Sequence, residues 1–255
     1  MIFLCSILTL NIFTYAIVRF AHGGTLVVSE KPPNPTDQSA DHIDLPKRTP
    51  GSHFYIICNF LNQPQNAFKY IAPPRAIYLR YSLLGYNPKN AGFQLSGLMY
   101  DKDIAIGMSI GAKAIAYAPT RHENTIFVNP CTHKSALKPS LRPVITILAL
   151  IAKLASYALG WLSIIPIIPT HAENERYSLT LLADQLFWMA YGNPPVIKAK
   201  VILSKDDEFL DNDAITKLYD LDKTNSICIK TLHAHTDDET CAVAYAKAVN
   251  HLLNL

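Results

Sequence analysis

The chain has 255 residues, of which 49% are apolar and 17% charged, against roughly 25% charged in an ordinary soluble domain. This composition excludes a disordered chain, which requires low hydrophobicity and high charge. A net charge of +3, from 23 basic and 20 acidic residues, leaves no electrostatic footprint for nucleic acid. The mean hydropathy of +0.12 is positive for a soluble domain and directs attention to membrane segments. Five cysteines (Cys5, Cys58, Cys131, Cys228 and Cys241) lie far apart, with no Cys/His cluster. They read as reduced thiols, and neither a metal nor an organic cofactor is expected.

Residues 1–22 form an N-terminal hydrophobic segment, with 14 apolar residues among the first 18 and no charge before Arg19. As a helix it is long enough to cross the hydrocarbon core of a bilayer. No basic residue precedes it and its exit, Arg19-Phe20-Ala21-His22, is not a small-residue cleavage site, so it reads as an uncleaved anchor rather than a signal peptide. A buried helix of the globular domain is the remaining reading. The basic residues that follow place the bulk of the chain on the cytoplasmic side under the positive-inside rule. Residues 23–52 combine a short β-branched run, Thr25–Ser29, with a Pro-, Asp- and Ser-rich linker.

From His53 onward, short apolar runs alternate with segments of helical spacing. Strands are expected at Phe54–Cys58, Ala76–Tyr81, Ile104–Gly107, Thr125–Val128, Ala199–Leu203 and Ile227–Leu232. Helices are expected at Ala91–Tyr100, Ser109–Ala118, Asn212–Tyr219 and Asp238–Leu255. This alternation predicts a mostly parallel, doubly wound α/β sheet. The region 131–195 interrupts it, and its segment Val144–Ile168 holds 19 apolar residues of 25. A second membrane span there would put Lys153 in hydrocarbon, at about 2.5–3.5 kcal/mol. It would also place neighbouring strands on opposite sides of the bilayer. The insert therefore reads as a helical cap over the sheet.

Gly107-Met108-Ser109-Ile110-Gly111 lies between a predicted strand and a predicted helix. A sharp turn there lifts a serine hydroxyl above the sheet edge, and glycines on either side relieve backbone crowding. This stretch resembles the nucleophile elbow of the α/β-hydrolase family, and the resemblance extends over about residues 53–255. It implies that an acid and then a histidine follow in chain order. Val201-Ile202-Leu203-Ser204-Lys205-Asp206-Asp207 is similar to the acid-bearing strand end of the family, with Asp207 at the matching position and Asp206 and Asp211 as runners-up. Thr231-Leu232-His233-Ala234-His235 resembles the histidine loop before the last helix, with His235 favoured and His233 as the alternative. The resemblance implies an oxyanion hole from the backbone amide of Ile110 and one from Phe60 or Leu61, in a loop that reads Cys58-Asn59-Phe60-Leu61-Asn62-Gln63-Pro64 and lacks the usual His-Gly.

By this resemblance the chain is expected to be a serine hydrolase cleaving carboxylic esters or thioesters through an acyl-enzyme on Ser109. Its expected substrate is a small acyl ester or a lipid-like molecule, with Trp161, Phe187, Trp188, Met189 and Tyr191 lining an acyl pocket or packing the cap. An acyltransferase or peptidase with the same triad, and a non-catalytic membrane-associated binding protein, are the alternatives. Membrane association is expected through the N-terminal helix.

Overall fold

The computed structural model describes residues 2–22, 26–28, 53–57, 76–82, 84–119, 124–169, 176–231 and 239–254. Its strands in chain order are β1 (Leu26–Val28), β2 (Phe54–Ile57), β3 (Ala76–Tyr81), β4 (Ile104–Met108), β5 (Thr125–Val128), β6 (Ile168–Pro169), β7 (Arg176–Tyr177), β8 (Lys200–Ser204) and β9 (Ser226–Ile229). Its helices are α1 (Ile2–His22), α2 (Pro88–Leu98), α3 (Gly111–Tyr117), α4 (Leu141–Leu159), α5 (Leu179–Tyr191), α6 (Asn212–Tyr219) and α7 (Glu239–Asn254). Seven strands form one sheet in the order β1-β3-β2-β4-β5-β8-β9, and β6 pairs with β7 separately. Within the sheet all neighbours run parallel except β1, which is antiparallel to β3.

Both faces of the sheet are covered, which explains why its strands are continuous apolar runs rather than alternating ones. Ile104, Ile106 and Met108 of β4 join a cluster with Tyr245, Val249 and Leu252 of α7. Ala105, between them, belongs to the opposite cluster with Leu95 of α2 and Ala112 and Ile115 of α3. Full burial of such an isoleucine contributes about 1.5–3 kcal/mol. Helix α2 starts at Pro88, earlier than the hydrophobic spacing predicts, because the Asn87 side chain accepts from the amides of Lys89 and Asn90. Proline at the first turn lacks only an amide that would have no helical partner. The linker expected over residues 30–52 lies outside the described residues.

The region between β5 and β8 contains α4, a 3₁₀ turn over Gly160–Ile164, the β6–β7 ladder and α5. Helix α1 packs on this insert through polar groups at its centre. Tyr15 is fully buried, with its hydroxyl 3.0 Å from Ser156 Oγ, 2.6 Å from Thr180 Oγ1 and 2.9 Å from Ser163 Oγ. Arg19 of α1 and Lys153 of α4 both form ion pairs with the buried carboxylate of Asp184 in α5. The same carboxylate accepts the amide of Tyr86 at 3.1 Å. Gly85 leaves room for it, since a Cβ there would stand 2.2 Å from Asp184 Oδ2. One anion thus ties together α1, α4 and the chain entering α2.

Removing one partner of a buried charge cluster leaves the others uncompensated, at a cost of about 3 kcal/mol. Asp184→Ala is therefore expected to lower the urea unfolding midpoint and to expose α1 to protease before the rest of the fold. Asp184→Asn, which keeps the hydrogen bond from Tyr86, should lose less. Equal stability of both variants and the parent would exclude this role.

Candidate active site

Strand β4 ends in a turn whose shape depends on two residues. Gly107 faces α3 so closely that a Cβ would stand 2.6 Å from Ala112 Cα and 2.8 Å from the Ala112 amide nitrogen. Ser109 follows with φ of 50°, the left-handed region that side-chain-bearing residues rarely adopt. Its amide donates to Val128 O at 2.8 Å, and its carbonyl accepts the amides of Cys131 at 3.0 Å and Ala112 at 3.3 Å. Helix α3 begins at Gly111, directly after the turn. The Ile110 carbonyl accepts the Tyr86 hydroxyl at 2.9 Å, so the chain entering α2 buttresses the turn.

Because β4, β5, β8 and β9 are parallel neighbours, the turns that follow them share one edge of the sheet. Asp207 follows β8 there and is buried, with Oδ1 accepting the amides of Phe209 at 2.9 Å and Leu210 at 2.8 Å. Its backbone carbonyl accepts the Lys138 ammonium at 2.6 Å. The two runners-up occupy different settings. Asp206 is exposed, and Asp211 caps α6 by accepting the Ala214 amide at 3.1 Å. Of the three carboxylates, Asp207 alone is both buried and held at this edge. His233, His235, Phe60 and Leu61 lie outside the described residues.

A buried polar network lies beneath the same edge. Asn129, with φ of 44°, donates through Nδ2 to Ser204 Oγ at 2.7 Å and to the Tyr245 hydroxyl at 2.9 Å, and accepts the Ser204 amide at 2.7 Å. Ser204 Oγ also lies 2.8 Å from Thr231 Oγ1. The network joins the ends of β5 and β8 to Thr231, two residues before His233, and to α7. No local sequence signal marks these residues, because each is an ordinary polar side chain whose partners are distant in the chain.

Lys113 is likewise unmarked in the sequence. It is fully buried in α3 and donates to the carbonyls of Trp188 and Gly192 at the end of α5, the latter at 2.9 Å. This fastens the insert to the helix behind Ser109. Burial lowers the Lys113 ammonium from 10.5 to about 8. The neighbouring Cys131 thiol is pushed up from 9.0 to about 11 by burial, with Lys113 opposing the rise and Asp207 adding to it. His133, in the loop after β5, is held below its usual value by burial and by the Lys113 charge. Trp188 packs edge-on against Tyr117 of α3, whereas Trp161 donates to Thr14 Oγ1 of α1 at 3.0 Å. A cavity of about 520 Å³ lies between α1, α4, α5 and the turn before α2, with Tyr86, Tyr157, Phe187 and Trp188 on its walls and Arg19, Lys153 and Asp184 among its lining residues.

The sheet order, the antiparallel β1 and the strand–turn–helix at Ser109 give this chain an α/β-hydrolase-like fold. No known family profile matches the sequence, and no curated protein matches it. Among solved structures, DcsB in complex with its substrate analogue is similar with a TM-score of 0.50 and 11% identity, over 80% of this chain and 90% of that one. A soluble variant of the monoglyceride lipase from Saccharomyces cerevisiae gives 0.49 and 11%, over 88% and 98% of the two chains. The monoacylglycerol lipase of Paleococcus ferrophilus gives 0.48 and 15%, over 80% and 95%. At these identities the likeness is one of fold.

The two shifted groups beside Ser109 set opposite pH dependences. From pH 8 to 10.5 the unfolded chain holds the Lys113 proton that the folded chain has shed, so stability rises with pH. From pH 9.0 to 11 the folded chain retains the Cys131 proton that the unfolded chain loses, so stability falls. The urea midpoint is therefore expected to climb between pH 8 and 9, to level off where the two effects cancel, and to decline above pH 10.5. Lys113→Met should remove the climb, and a climb that persists in that variant would assign it to another group.

Proposed function

We propose that the chain is a serine hydrolase of carboxylic esters or thioesters, with Ser109 as nucleophile, Asp207 as the triad acid and His235 as the base. The observation that carries the reading is the serine held at φ of 50° between β4 and α3, with a buried carboxylate at the same sheet edge. A left-handed serine is costly and is retained where the turn must project a side chain. Asp207 follows the strand two places across from β4, so its turn and the Ser109 turn lie at one edge of the sheet, where an imidazole from the loop after β9 would stand between them.

In this mechanism the imidazole takes the Ser109 proton as Oγ attacks the acyl carbon. The carboxylate of Asp207, fixed by two amides, holds the ring in the tautomer that accepts this proton and then balances its charge. The amide of Ile110 at the start of α3, with one from Phe60, binds the developing oxyanion. The imidazolium next protonates the leaving alcohol or thiol, and water returns the acyl-enzyme to acid and free serine.

Ser109→Ala is expected to abolish labelling by a fluorophosphonate probe together with hydrolysis of p-nitrophenyl esters. Asp207→Asn should lower turnover by about 10⁴ with the fold intact, as for a triad acid replaced by its amide. His235→Ala should match Ser109→Ala. If His233→Ala is inert instead and His235→Ala active, the base moves by two residues. Labelling of Ser109→Ala as strong as that of the parent would refute the reading.

A further inference from the structure

Among the described residues, most of the exposed large apolar side chains gather on the insert and α1. On α4, Ile147 is 57% exposed, Ile151 58% and Leu154 72%, with Val144, Leu148, Leu150 and Leu159 also uncovered. Leu162, Ile165 and Ile167 continue the exposed series past the 3₁₀ turn, and Leu10, Phe13 and Ile17 add an exposed stripe from α1, which packs beside α4. A monomeric soluble domain rarely leaves apolar area of this extent uncovered.

The polar groups of α4 are turned the other way. Lys153 reaches Asp184, Ser156 is buried against Tyr15, and Thr146 bonds back to the Arg142 carbonyl. Helix α4 is therefore one-sided, with Ile145, Ala149 and Ser156 toward the protein and an uncharged outer face about 28 Å long at the usual rise. A helix with one face occupied by its own domain lies along a membrane and does not cross it. Its charge pattern fits lipid better than protein. Between Glu123 and Glu173 the sequence has no acidic residue but carries Lys134, Lys138, Arg142 and Lys153. Residues 1–29 likewise carry Arg19 and no acid. With Arg19 and Lys153 turned inward to Asp184, an apolar surface with Lys134, Lys138 and Arg142 at the start of α4 complements a bilayer with anionic headgroups.

We propose that the outer face of α4, continued by residues 162–167 and the exposed stripe of α1, is a lipid-docking surface that holds the chain flat on an anionic bilayer. This assigns membrane association to the insert as well as to the N-terminal helix, and it does not depend on the hydrolase reading. The inward pairing of Lys153 removes the charge in the middle of α4 that would oppose its immersion, and leaves Arg142 at the start of the helix.

The test is co-flotation of the detergent-purified full chain with mixed phosphatidylcholine–phosphatidylserine vesicles, after detergent removal. The parent is expected to float with the vesicles. The double variant Ile151→Asn, Leu154→Asn, at exposed positions away from the cavity and the elbow, should lose at least tenfold in vesicle binding at an unchanged melting temperature. Two results would overturn the proposal. One is undiminished flotation of that variant with loss on Phe13→Asn, Ile17→Asn, which would make α1 the sole anchor. The other is a lipid-free dimer of the parent that does not float and that the α4 variant converts to monomer, which would make the face a contact with a second copy.

Discussion

The left-handed backbone at Ser109 costs a side-chain-bearing residue about 1–2 kcal/mol, and its neighbours are arranged to impose it. Gly107 removes the Cβ that would collide with α3, and Val128 of β5 takes the serine amide. The serine carbonyl receives the amide of Cys131, which fixes how the chain leaves β5. Asn129, itself left-handed, then reaches Ser204 and sets the end of β8, from which the Asp207 turn follows. The order of β4, β5 and β8 in the sheet is the order in which one strained turn positions the next. Sheet pairing alone would leave these turns free, whereas backbone bonds at Ser109 and the buried Asn129 side chain define them.

Much of this was legible in the sequence because the strands are buried on both faces. Ala76–Tyr81, Thr125–Val128 and Asn212–Tyr219 have the predicted bounds, since each is an apolar run or helical stripe ended by clear turn chemistry. The sharp turn over Gly107 and Ser109 was legible as a turn because its signals lie within a few residues. The contributions of Lys113, Asp184 and Tyr15 were not. A lysine in an Ala- and Ile-rich helix reads as solvated, and only the fold brings the carbonyls of Trp188 and Gly192 over its ammonium. Lys153 was legible as an obstacle to a membrane span, but its partner on α5 was not. Local spacing carries information about turns and stripes, while pairs separated by 31 to 165 residues leave no periodic trace.

The insert packs on the sheet through an apolar core that includes Leu137, Tyr177 and Leu181, and specific bonds add to it. Lys138 meets the carbonyl of Asp207, Leu137 bridges to Leu210, and Lys113 meets the end of α5. Movements of the insert would therefore act on the acid turn and on the helix behind the serine. The carboxylate of Asp184 extends the same coupling to α1 and, through Tyr86, to the carbonyl of Ile110. Arg19 and Lys153 share that carboxylate, so the three groups form a compact cluster with one net positive charge beside the cavity.

The burial of Tyr15 has a consequence for biosynthesis. Its hydroxyl partners lie 141 and 165 residues further along the chain. At roughly 5–20 residues per second, α1 leaves the ribosome about 10–30 s before the surfaces that receive it exist. Throughout that interval its entire apolar circumference, including the face later given to Ser156 and Thr180, needs a temporary host. The earliest encounter of this polypeptide with a chaperone or a bilayer is thus dictated by the distance in sequence between a tyrosine and the hydroxyls that eventually enclose it.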